Sequence, residues 1–321
     1  MSTIATPNQK LLQGVPPNSP ERVLVNHPTQ SATAIDGWKS VLFGLPFFAA
    51  GLFIELVGLN RIDARKHAPD WLIGLLGAFF LLAGFFLIIH GIRGVLRRAA
   101  YDREARQAPG LPWLYDFRWH REGFTFSAFN SMLQRLLAAL CWNAFLIPFF
   151  WIGTTQRGAW IFAVFAGFFA LIGLLFWYRW AQMLGELLRY GNSFLSYNNF
   201  PYFLGNKFSA RLRAPDHVSD FDELQLTLRC VQERYITSGS GENRKTEVVC
   251  FELWGASQMF SRSQLAAFSG QEIPFEFTLP ESQPSTSLAA APPTYWEIEA
   301  NGKSTHATYE AFFLVPVYKP Q

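Results

Sequence analysis

Three polar side chains interrupt stretches of the sequence that are otherwise apolar: Glu55, His90 and Asn143. Ionisable groups inside a membrane are costly and commonly mark a proton or ion path, so they allow a hypothesis of transport. A structural interpretation is also open, since Glu55 and His90 fall near the ends of their apolar stretches, within reach of the interface. Asn143 suits a hydrogen bond between helices. The structural interpretation is favoured, because transporters usually have more spans.

No arrangement typical of catalysis, of a metal site or of a cofactor site is found in the sequence. The six histidines are scattered, and the sequence contains no CxxC, HExxH, GxSxG, GxxxxGK[ST] or GxGxxG pattern. One acidic cluster runs from Asp216 to Glu223 and could bind a cation, although a solvated loop is the favoured interpretation. We therefore predict a non-enzymatic protein without a cofactor or a metal.

A second group of candidate residues combines cations with aromatic rings between the second and third apolar stretches. Each arginine beside an anionic leaflet adds about 1 kcal/mol of attraction, and aromatic rings prefer the interface. The same residue types are enriched in protein-binding hot spots. The segment is predicted to bind the anionic cytoplasmic leaflet or a protein partner through Arg97, Arg98, Trp113, Tyr115, Arg118 and Trp119.

The composition favours a membrane protein over a pair of soluble domains. Half of the residues are apolar and only 16% are charged, against about 25% in typical soluble proteins. The net charge of +3 comes without a basic face or a recognisable binding motif, which argues against nucleic acid. Three cysteines are too few for a disulfide scaffold.

Four apolar stretches are each close to the ~20 residues that a membrane-spanning helix needs. They are Val41–Leu59, Trp71–Ile92, Leu136–Gly153 and Gly158–Tyr178. The second is predicted to continue as a helix to about Pro109, and the fourth to Tyr190, with Gly191 as a stop. Pairs of small residues at helical spacing, such as Gly74/Ala78 and Ala163/Gly167, indicate close packing between helices.

The distribution of Lys and Arg predicts the orientation of these helices. With four spans, both termini and the middle loop share one side, which carries 12 basic residues near the membrane against 4 on the other. The positive-inside rule therefore predicts cytoplasmic termini. We predict a membrane domain over residues 37–190, with its basic and aromatic middle loop at 93–132. Residues 1–36 lack a signal-peptide-like apolar core and are predicted to be a disordered or surface-lying tail.

From Asn192 onwards the hydrophobic pattern changes to a period of two, which is typical of strands. Several short strands with turn signals between them predict an antiparallel sandwich over residues 191–321. Asn301-Gly302 is a strong signal for a type I′ hairpin turn, which would set Ala300 opposite Lys303. In that arrangement Trp296, Ile298 and Ala300 share a face with Tyr309, Ala311 and Phe313.

Several short motifs give the chain a resemblance to a known family. They are Leu111–Tyr115 with Trp119, Cys141–Asn143, Gly191–Ser193 leading to Phe200-Pro201 and Gly205, Trp296–Ile298, and the ending Tyr309–Phe312 with Val315–Tyr318. The chain resembles uncharacterised bacterial inner-membrane proteins in which transmembrane helices precede a C-terminal immunoglobulin- or arrestin-like β-sandwich. The resemblance implies a multi-pass protein of the bacterial inner membrane. It implies no activity.

Three functional hypotheses remain open at this point, of which a membrane enzyme is the least favoured. The leading one is a scaffold or assembly subunit whose cytoplasmic sandwich binds a protein partner or forms a homo-oligomer. The alternative is a subunit of a small-solute or ion transporter that uses the intramembrane polar residues. Because sandwiches of this class serve many functions, the fold does not decide between them.

Overall fold

The computed structural model describes residues 22–25, 27–30, 37–63, 68–126, 128–156, 158–213, 221–238, 245–268, 272–303 and 308–320. The chain divides into two compact units. A helical unit takes residues 32–102 and 127–192, and a β unit takes residues 1–31, 103–126 and 193–321.

Four long helices form the helical unit: α1 (Trp38–Gly58), α2 (Asp70–Gln107), α3 (Ala128–Thr155) and α4 (Trp160–Tyr190). All four are long and apolar enough to span a membrane, which confirms the four predicted spans. At about 1.5 Å per residue, the 38 residues of α2 exceed the ~30 Å hydrocarbon layer, as the prediction of a continuing helix required. Helix α4 ends at Gly191, whose φ of 63° favours glycine.

Helices α1 and α2 pack through glycines that recur every seven residues on each helix. A Cβ atom at Gly51 would lie 2.2 Å from the backbone N of Leu81, and one at Gly84 would lie 2.3 Å from that of Phe48. Lipid tails are as apolar as leucine, so helices in a membrane gain mainly from such close backbone approach. The full set, called the glycine ladder below, is Gly44, Gly51 and Gly58 on α1 and Gly77, Gly84 and Gly91 on α2.

The β unit contains two larger antiparallel sheets and one small parallel pair. The five-stranded sheet has the order β1-β7-β6-β9-β10, the four-stranded sheet β2-β3-β5-β8, and the pair β4-β11. A short helix, α5, follows β7 at Arg262–Ala267. The strands are β1 (Arg22–Leu24), β2 (Gly123–Phe126), β3 (Ser193–Tyr197), β4 (Tyr202–Phe203), β5 (Lys207–Arg213), β6 (Glu223–Ser238), β7 (Lys245–Ser261), β8 (Glu272–Thr278), β9 (Thr294–Lys303), β10 (Thr308–Val315) and β11 (Val317–Tyr318).

Buried aromatic and aliphatic side chains fill the space between the two larger sheets. The hydroxyl of Tyr309 on β10 donates to Ser193 Oγ on β3 over 2.6 Å, and the ring of Phe313 lies 6.2 Å from that of Phe126 on β2. The predicted period of two is visible in the burial of β8, where Ile273, Phe275 and Phe277 are buried and alternate with residues that are not. These contacts join the two sheets around one core.

The predicted turn at Asn301-Gly302 is wrong. Strand β9 runs through both residues to Lys303, and Ala300 pairs with Ala311 instead of Lys303. Gly302 serves close packing rather than a turn, since a Cβ atom there would lie 2.8 Å from the ring of Phe221. The predicted faces are nevertheless correct. Ala300 is paired with residue 311 instead of residue 303, and because this shift is an even number of residues, each side chain stays on the same face of the sheet.

The boundaries of the β unit also differ from the prediction. Val23 of the predicted tail pairs with Phe251, and Phe124 of the predicted middle loop pairs with Leu195. The helical unit therefore does not contain the whole segment 93–132, and residues 22–25 and 27–30 belong to the β unit. These strands are three and four residues long, too short to give a periodic signal, and their partners are distant in sequence. The rest of the predicted tail, residues 1–21, 26 and 31–36, lies outside the described residues.

Candidate binding cleft

A polar cleft lies on the face of the five-stranded sheet that points away from the shared core. Its volume is about 480 Å³, and nine of its fourteen lining residues are polar or charged. The floor comes from β6, where Gln225, Thr227 and Arg229 alternate with the buried core residues Leu226 and Leu228. The same period of two that turns the leucines inward therefore turns these side chains outward.

Arg229 is the central cation of the cleft. It is only 6% exposed, and a buried guanidinium must be paired to be tolerated. Its Nη1 lies 3.6 Å from Glu252 Oε2 and its Nε lies 3.2 Å from Glu297 Oε1. Its Nη2 contacts Glu299 Oε2. The two strands that flank β6, namely β7 and β9, thus supply three carboxylates to one arginine.

His27 adds a second cation to this cluster. Its Nε2 donates to Glu297 Oε1 over 2.6 Å, and its Nδ1 donates to the carbonyl of Pro28 over 3.0 Å. Burial alone would lower the pKa of His27, but its interactions with Cys250 and Glu297 outweigh burial and raise the pKa to about 9. The imidazole is therefore an imidazolium at neutral pH. Two cations and three carboxylates leave the cluster with one net negative charge.

The residues around His27, numbers 22–25 and 27–30, are called the strap below. They pass from the β7 edge of the five-stranded sheet across its outer face. The hydroxyl of Tyr295 donates to Pro28 O over 3.4 Å, and the amide of Gln30 donates to the buried carboxylate of Glu233 over 2.5 Å. The strap therefore forms one wall of the cleft and is held by polar contacts on its second half.

Sequence reasoning did not find this site. His27 and Glu297 are 270 positions apart, and no local pattern connects them. The only signal was the presence of charged residues at outward positions of otherwise apolar strands, such as Glu297 within Thr294–Lys303. Such residues are ordinarily read as a solvated face.

The predicted aromatic patch has a different role in the structure. The ring of Trp113 lies 5.7 Å from those of Phe203 and Tyr318, and Trp119 Nε1 donates to the Tyr318 hydroxyl over 2.9 Å. Both tryptophans thus pack inside the β unit. Tyr115 is half-buried, and Arg97, Arg98 and Arg118 are exposed. Of the six predicted residues, Arg97 and Arg98 belong to the helical unit and the other four to the β unit.

Asp116 anchors this middle segment to the β unit. Its carboxylate accepts the backbone N–H groups of Leu288 and Ala289 over 3.0 Å and 2.9 Å, and the Tyr318 hydroxyl lies 3.3 Å away. Burial raises the pKa of Asp116, although the two backbone hydrogen bonds oppose the shift. The segment 112–126 is therefore part of the folded β unit.

The three intramembrane polar residues are also separated. The carboxylate of Glu55 lies where Gly77 leaves space, 2.8 Å from a Cβ atom built at that glycine. His90 is exposed and stacks on Phe86. Gly77 and His90 are thirteen residues apart on α2, about 20 Å along a helix axis. Asn143 on α3 donates to the carbonyl of Ala139 over 2.7 Å. Glu55 and His90 therefore do not form a joint site.

The acidic cluster is only partly within the described residues. Asp216 and Asp220 lie outside them, while Asp222 pairs with Arg262 at 3.5 Å and Glu223 with Lys303 at 2.8 Å. Over the described ranges, no group of three or more His, Cys, Asp and Glu side chains could hold a metal ion.

Comparisons with known proteins leave the family open. No protein-family model matches the chain, and no curated protein matches its sequence. Among solved structures, the chain is similar to Spo0M, a sporulation control protein from Bacillus subtilis, with 15% identity and a TM-score of 0.23. That match covers 40% of this chain and 49% of Spo0M, so it spans about half the length of that chain. At this identity and TM-score, the likeness assigns neither a fold type nor a function.

Proposed function

We propose that this is a non-enzymatic integral membrane protein whose β unit binds a protein partner, as a scaffold or assembly subunit. In this proposal the two larger sheets form an immunoglobulin- or arrestin-like sandwich on the cytoplasmic side of the bacterial inner membrane. The observation that carries the proposal is the charged cleft. It offers buried, fixed charges on an open strand face.

The chemistry of the cleft favours a polypeptide over a small molecule. Pockets for small ligands are mostly apolar with a few polar groups, whereas here most lining residues are polar or charged. Oriented charges at an interface fix register and exclude wrong partners. The rim adds apolar contact area through Val25, which is 56% exposed. The cleft lining also contains the carboxylates of Glu252, Glu299 and Glu310, which a basic partner segment would complement.

Site-specific photo-crosslinking tests this proposal directly. A photoreactive amino acid at Thr227, on the cleft floor, should give a discrete adduct with one protein in intact cells. The matched control carries it at Glu276 on the exposed face of the four-stranded sheet. Reversing the cleft charge with Glu310→Lys should remove the Thr227 adduct. Adducts of equal pattern at both positions, or none at Thr227, would contradict the proposal.

The proposed sidedness has its own test. Asn60→Cys lies between α1 and α2, and Thr278→Cys lies in the β unit; both positions are exposed. Both variants are made in a Cys141→Ser background, because Cys141 is an exposed thiol. A membrane-impermeant thiol reagent added to intact spheroplasts should label position 60 and leave position 278 unlabelled. Labelling of position 278 together with protection of position 60 would reverse the orientation.

A further inference from the structure

Over the described residues, most of the outer edge of strand β7 has no partner strand. Strand β1 pairs with β7 only at Cys250, Phe251 and Glu252. Among the described residues no strand pairs with that edge from Leu253 to Ser261, where α5 begins. At about 3.4 Å per residue, this nine-residue stretch is about 30 Å of open sheet edge.

The sequence of this edge lacks the charges and the proline that ordinarily protect a sheet edge, and the register shift in the pairing with β6 affects only its first residue, Leu253. The stretch Leu-Trp-Gly-Ala-Ser-Gln-Met-Phe-Ser contains neither a charged residue nor a proline, and Met259 is 60% exposed. Soluble edges are ordinarily protected by charges, proline or bulges, since an open edge recruits another strand.

Strand β8, the edge of the four-stranded sheet, provides an internal comparison. It carries Pro274 between Glu272 and Glu276. The two glutamates form ion pairs with Arg213 and Lys207 of the neighbouring strand, at 3.3 Å and 3.6 Å. One edge of the β unit is thus protected and the other is open, which is the pattern expected of a pairing surface.

We propose that the β7 edge, Leu253–Ser261, pairs antiparallel with the same stretch of a second copy of this chain. A pairing centred on Ser257 sets Ser257 opposite Ser257, Gly255 opposite Met259, and Trp254 opposite Phe260. Every opposed pair is neutral, so no like charges meet. The methionine side chain gains the space above a glycine, and the aromatic pair forms the cross-strand contact that stabilises sheets. Such a self-complementary patch is what a two-fold interface requires.

The chain's own N-terminal segment is a poor occupant of this edge. Continuing β1 backwards along β7 would use the residues before Arg22, which include Pro16, Pro17 and Pro20. Proline has no N–H to donate to a ladder. A second copy also meets the first readily, because anchoring in a bilayer confines both to one surface. Gly255 and Ser257 also line the cleft, but the pairing uses the backbone of the β7 edge and requires no partner in the cleft.

Cysteine cross-linking in membranes tests the pairing. In the Cys141→Ser background, the two remaining cysteines, Cys230 and Cys250, are buried. Opposed residues of an antiparallel pair have Cα atoms about 4.5–5.5 Å apart, within the range of a disulfide. Ser257→Cys should therefore form a disulfide dimer under mild oxidation. The matched control, Thr278→Cys at the exposed end of β8, should react at least about tenfold more slowly.

A charge swap separates pairing from chance collision. Ser257→Lys and Ser257→Glu each place like charges at the two-fold axis, so each variant alone should lose about tenfold or more of its co-purification with a differently tagged copy. Co-expression of the Lys and Glu variants should restore it. Protease resistance of the β unit confirms that each variant is folded.

Restoration by the mixed pair, together with cross-linking at 257 and not at 278, supports the proposal. The proposal is overturned if folded Ser257→Cys gives no dimer, if both edges cross-link equally, or if the Lys variant associates as the wild type does.

Discussion

The interactions of His27 with Cys250 and Glu297, which together outweigh the effect of burial on its pKa, should make the stability of the β unit depend on pH between 6.5 and 9. The pKa of the imidazolium is raised from 6.5 to about 9 in the folded protein. The difference, 9 − 6.5, at about 1.36 kcal/mol per tenfold change in proton affinity, is roughly 3 kcal/mol. The His27 side chain is only 4% exposed, so solvent screening removes little of this amount.

The sign of the pH dependence follows from the direction of the pKa shift of His27. Because the folded-state pKa lies above the unfolded value, the stabilisation is fully present below pH 6.5. It decreases between pH 6.5 and 9 and is lost above pH 9. At roughly 2–4 °C per kcal/mol for a unit of this size, the wild-type Tm should fall by about 6–12 °C over that range.

Thermal unfolding of the purified protein, followed by tryptophan fluorescence between pH 6 and 9.5, measures this effect. His27→Gln keeps a hydrogen-bonding group but cannot carry the charge. Its Tm should therefore be lower than that of the wild type at pH 6 and should change little between pH 6 and 9.5. Glu310→Gln, an exposed carboxylate at the rim of the cleft, should follow the wild type. Parallel curves for wild type and His27→Gln would refute the reasoning.

Three further predictions concern packing and anchoring. Gly51→Ala in the glycine ladder should lower the free energy of unfolding by about 1–3 kcal/mol, since its Cβ would meet the Leu81 backbone. The control Gly167→Ala, which has nothing within 4 Å of its Cβ, should be neutral or stabilising, and thermal unfolding in detergent compares the two variants. Asp116→Asn should lower the free energy of unfolding by about 1.5–3 kcal/mol, because it weakens the hydrogen bonds to Leu288 and Ala289. The Tm measures this loss, and Glu122→Gln, at an exposed position, is the control. Gly302→Ala should lower the free energy of unfolding by about 1–3 kcal/mol by crowding the ring of Phe221, whereas Asn301→Ala should change it by no more than about 0.5 kcal/mol. A comparable loss of stability in both variants would support the turn instead.

The parts of the fold that sequence reasoning predicted well are those set by local composition. A charge-free apolar stretch such as Trp71–Ile92 has few alternatives to a spanning helix, and Gly191 ends α4 as its position suggested. The faces of β9 and β10 followed from the period of two. The glycine ladder differs from the predicted pairs, such as Gly74/Ala78, because those pairs have a spacing of four residues while the glycines that pack α1 against α2 repeat every seven residues.

The errors arose where one residue pattern serves two physical purposes. Asn-Gly favours a type I′ turn, yet the same glycine allows the ring of Phe221 to approach β9. Tryptophan suits both binding surfaces and folded cores, and Trp113 and Trp119 both contact Tyr318. The cleft was beyond sequence reasoning because the pairing of His27 with Glu297 depends on the complete sheet.

The composition of the β unit ties its folding to the topology of the membrane helices. Its described residues come from before α1, from between α2 and α3, and from after α4. If the four helices cross a bilayer, these three segments can meet only when each pair of helices returns to the side on which it began. The two helix pairs must therefore share one orientation, because reversing either would remove β1 or β2 from its sheet. Only two orientations of the whole protein therefore keep the β unit intact. The excess of arginine and lysine selects between these two orientations and does not set the direction of each helix separately.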